Sequence, residues 1–137
     1  MSSSPPDSIS VYKNKPFARF ARKARISDAA LWKAASLANH GIFDADLGEG
    51  VIKQRIARPG EGKSGGSRTI ILFRKGDRAV YVFGFEKKDM ANISASDLLS
   101  FREFAEVYLG YSAVEMEELV KKGTILQVEA GEDEQDD

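Results

Sequence analysis

Between Glu49 and Lys88 the chain carries ten Lys and Arg residues against four acids (Glu49, Glu61, Asp77 and Glu86), a local excess of six positive charges. Part of this charge repeats with period two. Along Val51 to Ala57, Ile52, Gln54 and Ile56 fall on one face of an extended chain, and Lys53 and Arg55 fall on the other. A sheet with an apolar face against a core and a cationic face outward suits a phosphate backbone rather than an apolar ligand. An ordinary solvated sheet face is the plainer reading of the same pattern. The glycine-rich turn from Arg58 to Arg68 has the composition of a nucleotide-binding loop but not its order. Ala57 stands where the first glycine belongs, five residues before Gly62-Lys63-Ser64, and the turn leads into a strand instead of a helix. Nucleotide hydrolysis is therefore disfavoured, although backbone N–H groups beside Lys63 and Arg68 remain suited to holding a nucleic-acid phosphate.

The formal net charge of -1 conceals this polarity. Six of the 21 acids (Glu129, Glu132, Asp133, Glu134, Asp136 and Asp137) lie in the last nine residues, so the body up to residue 128 carries +5. A basic body draws in polyanions, whereas a short acidic tail solubilises or shields. The absence of cysteine and the single histidine, His40, argue against a transition-metal site, and no cofactor is expected. His40, next to Gly41, reads as the end of a helix, where a cation favours the helix dipole. No apolar run approaches the roughly 18 to 20 residues of a membrane span, and the opening MSSSPPDS is no export signal, so a cytoplasmic, membrane-free protein is expected. The length suits one domain over residues 9–128, between a disordered segment 1–8 and an acidic disordered tail 129–137.

The elements that must position these cations are readable in outline. Ile9, Val11 and Tyr12 suggest a short strand. Pro16 then suits the first turn of a helix with Phe17, Phe20, Ala21 and Ala24 inward and Arg19, Arg22, Lys23 and Arg25 in water. Ser27 or Asp28 opens a second helix with Leu31, Ala34, Ala35 and Ala38 at core spacing, ended by Gly41. Three strands follow at about 51–58, 67–74 and 79–87, forming a meander. Ser94 or Ser96 opens a helix carrying Leu98, Phe101, Ala105 and Tyr108. Ser112 with Glu115 forms a capping box for another, closed by Gly123. Ile125, Leu126 and Val128 form a last extended segment. The fold class is α+β: a small antiparallel β-sheet packed on two N-terminal helices, with additional C-terminal helices.

The stretch from Val51 through Ile-Ala-Arg-Pro-Gly-Glu-Gly-Lys-Ser-Gly-Gly-Ser-Arg-Thr-Ile to Arg74, with Val82-Phe-Gly-Phe-Glu-Lys-Lys88, resembles the RelE-like HigB toxins of type II toxin–antitoxin systems. The resemblance covers about residues 9 to 125. It implies a ribosome-dependent messenger-RNA endonuclease, a small helix-turn-helix antitoxin as partner in a hetero-oligomer, and cleavage without a metal. In the implied reaction a ribose 2′-hydroxyl attacks the adjacent phosphate, leaving a cyclic phosphate and a free 5′-hydroxyl. That requires a proton acceptor, a proton donor and cations at the phosphoryl oxygens. Arg68, at the family's Gly-Gly-x-Arg position, is the first catalytic candidate and Lys87 the second. Like charges nearby favour the neutral form of a lysine, so Lys53 or Lys87 is the expected acid or base, with Arg55 and Arg68 as permanent charges. Arg58, Lys63, Arg74 and Lys88 are expected to bind RNA. Some relatives use a tyrosine on a short C-terminal helix; this chain continues through a longer helical region, so Tyr108 and Tyr111 are weaker candidates, expected in the core or an interface. The same fold also serves ParE-like gyrase poisons and would suit an RNA-binding module that does not cleave. The cation density favours cleavage, and no helix-turn-helix signature points to a regulator.

Overall fold

A computed structural model describes residues 9–57 and 66–130. The elements run β1 (Ser10–Asn14), α1 (Lys15–Ala24), α2 (Asp28–Asn39), β2 (Ala45–Gly48), β3 (Val51–Ile56), β4 (Ser67–Arg74), β5 (Arg78–Glu86), α3 (Ala95–Gly110), α4 (Ala113–Lys122) and β6 (Ile125–Val128). The expected meander is β3-β4-β5, but it is only the middle of a six-stranded sheet ordered β2-β3-β4-β5-β1-β6. β1 lies parallel to β5, from Ser10 opposite Arg78 to Lys13 opposite Tyr81, and the other pairings are antiparallel. The last extended segment becomes β6, which closes against β1.

Side chains at N-caps and glycines at helix ends set the helix bounds. The Asn14 side chain accepts from the Phe17 N–H at 2.8 Å and opens α1 ahead of Pro16. Ser27 caps α2 and Ser94 caps α3 in the same way. Ser112 and Glu115 form the reciprocal capping box of α4, and Gly123, at φ +82°, ends that helix. His40 is the C-cap of α2, its Nδ1 2.9 Å from the Ser36 carbonyl oxygen. No helix among the described residues is long and apolar enough to cross a membrane.

Both faces of the sheet are covered, with separate cores. α1 and α2 bury Phe17, Ala21, Leu31, Ala35 and Ala38 against Val11, Ile52, Ile56, Ile71 and Tyr81. α3 and α4 bury Phe101, Ala105 and Met116 against Tyr12, Val51, Ile70, Leu72, Val80 and Ile125. Two buried polar groups fix the first layer. Gln54 Nε2 donates to the carbonyls of Ala34 (3.1 Å) and Ile42 (2.9 Å), tying β3 to the end of α2, and the Tyr81 hydroxyl donates to the Leu31 carbonyl at 2.8 Å. Satisfying them internally offsets their desolvation. Gly84 lets α1 sit close, because a Cβ there would come within 2.3 Å of two carbons of the Phe20 ring.

Candidate nucleic-acid interface

Strand register decides which cations meet. Arg55 on β3 stands directly opposite Arg68 on β4, Lys53 stands opposite Ile70, and Arg68 stands opposite Phe85 on β5. Directly opposed residues project to the same side of a sheet with Cβ atoms about 4.5–5.5 Å apart. Lys53, Arg55 and Arg68 therefore share one face. It is the face of Val51, Ile70 and Leu72, which α3 and α4 cover. The open cationic face expected from alternation is thus only the end of a half-covered one. α3 lies over the sheet toward Val51 and Leu72, and the cations occupy the end toward Ile56, Ser67 and Glu86, where Lys53, Arg55 and Arg68 are half-buried. Like-charged residues placed opposite each other repel, so Arg55 and Arg68 together form a local concentration of positive charge.

Arg68 has one further property. Its Nη1 is shielded from solvent and has no hydrogen-bond partner among the described residues. An unsatisfied buried donor costs about 1–3 kcal/mol, and more when charged. Lys87 follows β5 in the turn after Glu86 and is exposed, two residues beyond Phe85. From there the chain returns toward α3, with Met90 and Ile93 packed on the same core. Across the turn, the Ser67 hydroxyl donates to Glu86 Oε2 at 2.8 Å and ties the start of β4 to the end of β5. Gly66 holds φ +96°, and a Cβ there would come within 2.5 Å of the Ile56 carbonyl oxygen, so the backbone entering β4 passes too close to β3 for any side chain.

The remaining candidates lie elsewhere. Arg58 and Lys63 fall outside the described residues. Arg74 is on the same face as Arg68 but six residues along β4, about 20 Å away at the strand rise. It pairs with Asp77 at 2.9 Å and donates to the Leu109 carbonyl. Beside it Arg78, only 7% exposed, donates to the Tyr108 carbonyl at 2.9 Å and reaches Asp77 at 3.3 Å. These two arginines hold the C-terminal end of α3, where unpaired carbonyls and the helix dipole favour cations. Lys88 lines a groove with Phe20, Lys23, Ala24, Glu86 and Asp89, and so belongs with α1. Tyr108 and Tyr111 stack edge to face with centroids 5.8 Å apart at the Arg78 end of the sheet. Burial first, and the neighbouring Tyr111 second, push the Tyr108 phenol up.

Phe83 and Phe85 were not apparent as site residues from the sequence. They lie on the face of Arg68, with ring centroids 5.9 Å apart, and Phe83 is half-buried against Phe101 at 5.6 Å. Their alternation with Gly84 was the available signal. Their rings border the cation pair.

Helices on both faces of a mostly antiparallel six-stranded sheet make an α+β architecture consistent with the RelE-like fold. The sequence matches the family described as "RelE toxin of RelE / RelB toxin-antitoxin system" over residues 9–128, and the chain belongs to that family. It is thus the toxin component of a toxin–antitoxin system, with an antitoxin as its partner. No curated protein matches the sequence.

Proposed function

We infer that the toxin is a ribosome-dependent messenger-RNA endonuclease that arrests translation, with the end of the sheet around Arg55 and Arg68 as its cleavage site. The observation that carries this reading is the Arg68 guanidinium: its Nη1 is buried without a partner among the described residues, and it faces a second arginine across the strands. A phosphodiester supplies an anionic acceptor of the kind that Arg68 Nη1 lacks among the described residues. In this reading Arg68 and Arg55 stabilise charge growing on the non-bridging oxygens as the 2′-hydroxyl attacks. Lys53, two residues from Arg55, and Lys87, in the turn after β5, are the candidates for taking the 2′ proton and returning one to the 5′ oxygen. Phe83, half-buried over the buried Phe85, offers apolar ring surface to a base bordering the scissile link. Removing a single charge-stabilising donor typically costs 10²–10³ in rate.

The test is expression of Arg68→Ala without the antitoxin. Growth arrest and transcript cleavage on translating ribosomes should disappear while circular dichroism is unchanged. Undiminished arrest would remove Arg68 from the reaction, and arrest with DNA damage and intact transcripts would identify a gyrase poison instead.

A further inference from the structure

The two edges of the sheet are finished differently. β2, at one edge, is blunted against the addition of another strand. Its register on β3 is irregular, the Asp46 carboxylate accepts from the Gly48 N–H at 2.9 Å, and Arg102 Nη2 donates to the Leu47 carbonyl at 2.5 Å. β6, at the other edge, has none of these devices. Ile125-Leu-Gln-Val128 carries no charge, proline or bulge, and Leu126 is 40% exposed. The hydrogen-bonding sense of β6 follows from β1. The Ser10 N–H donates to the Asp77 carbonyl, just ahead of β5, so by alternation Val11 and Lys13 turn their backbone groups toward β6 and bond the residues opposite, Val128 and Leu126. Ile125 and Gln127 therefore point their N–H and C=O groups outward, away from the sheet.

We propose that β6 is a self-association edge, on which a second copy of this chain pairs antiparallel about a two-fold axis. In the register that alternation favours, Ile125 of each copy exchanges both backbone hydrogen bonds with Gln127 of the other. The two Leu126 side chains then meet at the axis in the close, non-hydrogen-bonded pair. Four residues of strand bury too little for a stable dimer, which needs roughly 1,200 Å² in total, and α4 supplies further surface. Glu117 and Lys121 of α4 line a groove with Gln127 beside this edge. Both are exposed, and neither forms an ion pair with a described residue. Because α4 leads into β6 directly after Gly123, antiparallel strands bring antiparallel α4 helices with them. The acids of one helix (Glu115, Glu117 and Glu118) then face the basic last turn of the other (Lys121 and Lys122), with the helix dipoles opposed. A second copy thus offers a matching strand and complementary charge together, and the two-fold contact closes on itself.

The inference does not rest on what the toxin acts upon. Sedimentation equilibrium on the full-length chain, freed of its antitoxin, should show a monomer–dimer equilibrium. Gln127→Pro removes an outward N–H without touching the pairing with β1, so it should leave a monomer with unchanged circular dichroism. Glu117→Lys and Lys121→Glu should each raise the dimer dissociation constant about tenfold. The two substitutions in one chain should restore it, because each copy again meets the opposite charge. A pair acting only within its own helix would leave the dissociation constant unmoved. A chain that stays monomeric at every concentration up to its solubility limit would overturn the proposal, as would a dimer that survives Gln127→Pro or a double swap that fails to restore association. A monomer whose antitoxin binding is lost in Gln127→Pro would overturn it too, and would give this edge to the antitoxin.

Discussion

Replacing Arg68 with methionine should make the toxin inactive and more stable at once. Methionine keeps most of the side-chain length and apolar contact but removes the shielded, unpartnered Nη1 and the repulsion with Arg55 across the strands. Relief of one buried unsatisfied donor is worth about 1–3 kcal/mol, and separating two like charges adds a few tenths. The lost hydrogen bonds of the remaining guanidinium nitrogens to water reduce this, so a net gain of about 1 kcal/mol is expected. For a chain of this size that raises the thermal midpoint by roughly 3–5 °C. Urea denaturation at two or more wavelengths measures the free energy, and expression without the antitoxin measures toxicity. A ligand that occupies the site should reverse the ranking, because binding to the native state alone stabilises it. A non-cleavable RNA carrying 2′-deoxy at the scissile link should therefore raise the midpoint of the wild type more than that of Arg68→Met. A methionine variant less stable than wild type by 1 kcal/mol or more would show that the guanidinium holds the fold together. The account of Arg68 as an unmet demand for an anion would then fail.

Gly84→Ala should cost about 1–3 kcal/mol by forcing Phe20 and α1 away from β5, and Phe20→Leu in the same chain should restore part of the loss in the same denaturation assay. Arg78→Leu should destabilise by about 2–3 kcal/mol, because the last carbonyls of α3 lose a buried cation and Asp77 loses a partner; hydrogen exchange should rise first in the last turn of α3. Burial raises the Tyr81 phenol well above its ordinary value of 10.0. The folded state resists ionisation that the unfolded state accepts, so this contribution is complete below pH 10 and declines above it, by up to 1.4 kcal/mol per pH unit. Tyr81→Phe should reduce the alkaline slope of stability while costing about 1 kcal/mol at neutral pH through the lost bond to Leu31.

Much of the fold was legible because its signals are local. Alternating apolar residues marked β3, β4 and β5 to within a residue or two, and Ser27, Ser94 and Ser112 each stood where a helix begins. β2 escaped notice because Ala-Asp-Leu-Gly has no β-branched residue and pairs as a four-residue edge strand with an irregular register. The insertion of β1 between β5 and β6 joins segments far apart in the chain, and periodicity says nothing about which distant strands will pair. The same distinction divides the site. Period two put Lys53 and Arg55 on one face, and only the strand register adds Arg68 and Arg74 to it; a face has length, and the position of α3 separates Arg68 at one end from Arg74 at the other. Lys87 and Lys88 are adjacent in sequence, yet Lys88 lines the groove beside Lys23 and Lys87 does not. The motif glycines Gly66 and Gly84 now have physical reasons, one for the approach of two strands and the other for the seat of α1.

The order β5-β1-β6 also governs when this toxin becomes whole. β1 must wait for Arg78–Glu86 on one side and for Ile125–Val128 on the other, so the sheet cannot be completed until Val128 has joined the growing chain. A product cut short before Ile125 leaves the amide edge of β1 unpaired and a hole where Ile125 and Val128 belong. Premature termination would thus yield an aggregation-prone or degraded fragment rather than a half-active poison, and the cell making this protein is spared its action until Ile125–Val128 has been made.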